Sequence, residues 1–117
     1  MARRERVRAP SNAYRDAEGN EIVLRAVLTA ATRASYARIG SGEDLRPGAS
    51  REDAWHRAVE FLFERLAVSW TIAGTEPIVR QRELLARLRV ASPAEREWVR
   101  ELLRSHCAEH FPDVTPP

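Results

Sequence analysis

The sequence predicts an α+β fold, mostly α, with an N-terminal β-hairpin followed by about four helices packed around a central helix at residues 51–70. Three observations predict it. Two short runs of strand-forming residues flank the turn signal "DAEGN", residues 16–20. Apolar residues then recur at steps of three and four from Trp55 to Trp70. Two further stretches, "SRED" and "SPAE", have the serine-to-acid spacing of a helix start.

Taken in order, residues 1–12 read as a flexible arm, because Arg3, Arg4, Arg6 and Arg8 are offset only by Glu5 and no apolar period exists. Residues 13–111 form one globular domain, and 112–117 are expected to be a disordered tail. Within the domain, a short strand near Ala13–Arg15 and a better one at Ile22–Val27 meet across Gly19-Asn20, which suits positive φ. Thr29 stands where an N-cap belongs, ahead of "AATRASYARI", and Gly40 is expected to end that helix. "GSGEDLRPGA" reads as a loop.

The central helix starts at a capping box formed by Ser50 and Asp53. Trp55, Val59, Leu62, Leu66 and Trp70 make one stripe, with Phe61 and Phe63 to either side, and Gly74 is expected to stop it. "PIVRQRELLARLRV" begins with a proline suited to a first helical turn. The last helix is capped by Ser92, has Pro93 at its first position and closes a capping box with Glu95. It turns Trp98, Val99, Leu102 and Leu103 inward.

Composition narrows the function. At 117 residues, 44% hydrophobic and 31% charged, the chain has the balance of a soluble single domain. No apolar run reaches the ~18 residues of a membrane span, and the arginines at the N-terminus are followed by no apolar export segment. Cys107 is the only cysteine, so no internal disulfide forms, and the cytoplasm is the expected compartment. All 19 basic residues are arginine, which leaves no side-chain amine for Schiff-base or phosphate-loop chemistry.

The chemistry candidates cluster in "RSHCAEHFPD", residues 104–113. His106 and His110 continue the Trp98–Leu102 row of the last helix, and a helical His-x-x-x-His pair can hold zinc only with further ligands. Cys107 is rotated by about 100° from His106, so His56 would have to supply a third ligand. The simpler reading is that the histidines serve the helix end and its packing, with Cys107 as a small buried residue. No nucleophile has a base and an orienting group beside it. No catalytic residue, metal site or cofactor is therefore assigned, and the chain reads as non-enzymatic. Arg3, Arg4, Arg6 and Arg8 could contact phosphates, which makes a small DNA-binding regulator the alternative.

The order of features also resembles a known family. A strand pair "YRDAEGNEIVLR" precedes "LTAATR"; the acidic-started "REDAWHRAVEFLFERLAVSW" ends at Trp70; a leucine-rich segment and "SPAEREWVRELLRSHCAEHFPD" follow. Over roughly residues 13–114 this layout resembles the small tail assembly chaperone-like proteins of long-tailed phages and prophages. The resemblance implies a non-enzymatic protein that binds a tape-measure protein or another tail component during assembly, with no catalytic residues to carry over. Trp55, Phe61, Phe63 and Trp70 are the expected interaction residues. A helix this apolar offers more surface than so short a fold is expected to cover, favouring a helical client or a homo-oligomer.

Overall fold

A computed structural model describes residues 10–42 and 47–117. The chain runs β1 (Ser11–Arg15), β2 (Glu21–Arg25), α1 (Ala30–Ser41), α2 (Arg51–Leu66), β3 (Ala67–Thr71), α3 (Gln81–Arg89) and α4 (Pro93–His110). It is α+β and mostly helical, with an N-terminal hairpin and four helices, as the sequence predicts. The hairpin, however, belongs to a three-stranded antiparallel sheet in the order β1-β2-β3.

The hairpin turn is built by Asp16. Its carboxylate accepts the backbone N–H groups of Glu18 and Asn20, each at 2.9 Å, and the Asn20 side-chain amide at 2.8 Å. These bonds hold the Asp16 carboxyl below its usual range, with the Asn20 side chain the largest cause. Gly19 supplies the positive φ of 87° that the turn needs. Asn20 also accepts the Ala73 N–H at 2.9 Å, tying this turn to the end of β3.

The third strand corrects the expected helix at 51–70. Helix α2 stops at Leu66, and Ala67 turns to extended backbone at φ −66° and ψ 125°. Ile22 lies opposite Trp70 and Leu24 opposite Ala67, with a register shift between Val23 and Leu24 that leaves Val68 as an extra residue. That bulge lets Ala67 and Trp70 face the same side, although their separation is odd. The helical spacing of Leu66 and Trp70 is thus satisfied by a helix end followed by a bulged strand. The strand also covers the edge of β2 that would otherwise lack a partner.

Two other boundaries move. Helix α1 runs past Gly40 and is capped by Gly42, which adopts a left-handed φ of 80° and donates its N–H to Ile39. Helix α3 begins at Gln81, not beside Pro77, because Trp70 and Ile78 exchange both backbone hydrogen bonds, at 2.9 and 2.8 Å. Ile78 is therefore held extended. The capping boxes at Ser50–Asp53 and Ser92–Glu95 form as predicted, and Thr29 caps α1.

The core lies between the sheet and the helices, with α2 at its centre. Ile22 and Leu24 from β2 meet Leu62, Phe63 and Leu66 from α2 and Leu103 from α4, all at most 1% exposed. The segment after α4 is packed, contrary to the disordered tail expected from its prolines. Phe111, Val114 and Pro116 are buried. Asp113 accepts two bonds from Arg33 of α1, at 2.9 and 3.0 Å, and that guanidinium lies over the Phe111 ring. At the other end, the expected arm reaches into β1, since Ser11 and Asn12 pair with Arg25 and Leu24.

Candidate protein-binding groove

The aromatic residues singled out on the central helix separate into two groups. Phe63 and Trp70 are fully buried and meet edge to face at 5.8 Å, with the Arg87 guanidinium 4.9 Å above the Trp70 ring. They are core residues and offer no surface to a partner. Phe61 is half-buried under Arg65. Trp55 is 44% exposed. It sits in the first turns of α2, where its neighbours Glu52, His56 and Glu60 are polar, and the helix turns its buried stripe away through Ala54, Ala58 and Leu62.

Trp55 stands at a groove of about 650 Å³ between the start of α2, the end of α3 and the start of α4. Its apolar lining includes Val59, Leu88, Ala91, Pro93 and Pro117. The rim is charged. Glu60 pairs with Arg89 at 3.1 Å, and Glu52 lies 3.7 Å from His56. On the α4 wall, Glu97 pairs with Arg104 at 3.1 Å, while Arg96 donates to the Arg89 carbonyl at 2.7 Å. Arg100 also lines the groove, and its Nε–H is buried with no hydrogen-bond partner. An apolar floor, a half-exposed tryptophan and a charged rim match the anatomy of a protein-binding surface.

The histidines lie elsewhere and do different work. His106 is fully buried, and both ring nitrogens are engaged. Nε2 lies 2.7 Å from the Arg25 carbonyl, which can only accept, so Nε2 carries the proton. Nδ1 then accepts from the Tyr14 hydroxyl at 2.7 Å. One imidazole thus ties α4 to both strands of the hairpin. Burial pushes the His106 pKa below its ordinary value, against the Arg25 bond, which raises it.

The His110 ring lies 4.7 Å from that of His106, tilted by 51°, in the last turn of α4, and His56 is exposed at the groove. Among the described residues, no group of three or more His, Cys, Asp or Glu side chains is placed to hold a metal ion. Burial raises the Cys107 thiol to about 12, so it stays protonated and unreactive near neutral pH.

Arg3, Arg4, Arg6 and Arg8 lie outside the described residues. No helix among the described residues is long and apolar enough to cross a membrane. The groove itself was not legible in the sequence. Its one available signal is that Trp55 lies one turn after the polar Arg51 and Glu52 at the helix start, while Arg96 and Arg100 share a face of α4. In comparisons with known proteins, no family model, no curated protein and no solved structure matches the chain.

Proposed function

We propose that this chain is a non-enzymatic protein-interaction module that receives a helical segment of another protein in the groove beside Trp55. The observation that carries the reading is the exposure of Trp55, 44%, at the mouth of an apolar cleft about 650 Å³ in volume. A half-exposed tryptophan with its apolar floor left open has a large area still to bury, and such residues dominate binding energy when covered. The cleft runs between helices, where an amphipathic helix packs its own apolar stripe. In its specific form the reading is a tail assembly chaperone-like protein of the long-tailed phage type, holding a helical client during assembly. The layout of the sequence supports that part.

Site-specific photo-crosslinking in the native host tests the proposal. A photoreactive residue at position 55 should crosslink one defined protein through a helical segment, and the same residue at Val79, which is 62% exposed but away from the groove, should not. For the phage-type role the crosslinked protein is a tail component. Equal, scattered crosslinking from both positions would contradict the proposal.

A further inference from the structure

The charge around the groove says what its occupant must carry. Two of the three rim carboxylates have a cation beside them: Glu60 has Arg89 and Glu97 has Arg104, while Glu52 lies beside His56. The arginines of the α4 wall are not matched in return. Among the described residues, Arg96 is held by a neutral carbonyl, that of Arg89. Arg100 has a buried Nε–H with no acceptor, and no hydrogen bond or ion pair holds its guanidinium among the described residues. A guanidinium on a groove wall with no acid partner is open to one, and a carboxylate is the group whose planar geometry fits it.

Arg96 and Arg100 are four residues apart on one helix, so both reach the same stretch of an occupant lying in the groove. Resting on the protein-binding reading above, we infer that the occupant is an acidic amphipathic helix of a partner protein. It sets an apolar side chain against Trp55 and a Glu or Asp, about one turn away, against Arg100 and Arg96. The chain's own segment before β1 has the wrong sign for this place, since Arg3, Arg4, Arg6 and Arg8 outnumber its single acid, Glu5. The carboxylate also lets the groove discriminate among helices. A basic helix would set its own cations against Arg96 and Arg100, which selects against it.

Selection from a displayed library of short helical peptides, run on the full chain and on Arg100→Gln and Trp55→Ala variants, tests this. The expected result is enrichment of peptides with Glu or Asp one turn from a large apolar residue. Their affinity should fall about tenfold or more in Arg100→Gln, the loss of a charge-assisted pair, and binding should be abolished in Trp55→Ala. Trp55-dependent peptides with no acidic preference, or with affinity unchanged in Arg100→Gln, would overturn the inference while leaving the groove as a binding site. Enrichment that ignores Trp55 would overturn both. Trp55-dependent self-association of the purified chain, read by sedimentation, would assign the groove to a second copy and overturn the partner-helix inference.

Discussion

Trp55 and Trp70 are the same side chain at two ends of the apolar spacing read from the sequence, one on α2 and one on β3, and their surroundings give them opposite roles. Trp70 is fully buried, edge-on to Phe63, beneath the Arg87 guanidinium. Its ring fills the junction of sheet, α2 and α3, so truncation leaves a large cavity. Trp70→Ala is expected to cost about 3–5 kcal/mol, which urea denaturation can measure; a loss below about 1 kcal/mol would mean that this junction does not hold the fold. Trp55 shares the helical phase but not the burial, because the elements facing that turn of α2 stand back to form the groove. Periodicity reports which face of a helix a residue occupies. It does not report whether anything covers that face, and this is why the sequence alone grouped Trp55 with Phe63 and Trp70.

At the scale of the elements, what was legible followed from local chemistry. The hairpin turn, the Thr29 cap and both capping boxes are contacts between residues a few positions apart, so their signatures survive in the sequence. Strand β3 was not legible, because its partner β2 lies far away in the chain and Ala67–Thr71 continues a helical spacing. Its bulge even disguises the alternation expected of a strand. The start of α3 was hidden for the same reason, since the Trp70–Ile78 bridge is a tertiary decision.

The cap of α4 gives a test at this scale. Ser92 accepts the Glu95 N–H at 3.2 Å, while Glu95 accepts from the Ser92 N–H at 2.9 Å and pairs with Arg87 of α3. Ser92→Ala should therefore lower stability by about 1 kcal/mol, with the m-value unchanged in urea titration. No loss of stability would show that the cap contributes nothing beyond what water supplies.

For the whole molecule, His106 is the tie between the two ends of the chain. It joins α4 to Tyr14 of β1 and to the Arg25 carbonyl of β2, in a neutral form that burial favours. Because its folded pKa lies below the ordinary 6.5, the unfolded chain binds the proton first as pH falls. The stability from this group is thus complete above about pH 6.5 and declines below it, toward the depressed folded value. Glu109 opposes the shift and His110 reinforces it. Denaturation from about pH 7.5 to about pH 5.5 should show falling stability in the wild type and a flatter profile in His106→Gln. Equal slopes would place the acid sensitivity elsewhere. The packed C-terminal segment acts in the same direction as His106, since Asp113 and Phe111 bind Arg33 and so fasten α1 to the end of α4.

These ties leave the groove as the open part of the molecule. A surface that serves binding can lose its anchor without losing the fold, and that separates it from the core. Trp55→Ala, checked as folded by circular dichroism, should be titrated calorimetrically with the acidic helical peptide selected on the wild type. The expected result is no detectable binding by a protein whose stability lies within about 1 kcal/mol of wild type. Unchanged affinity, or a variant as unstable as Trp70→Ala, would contradict it.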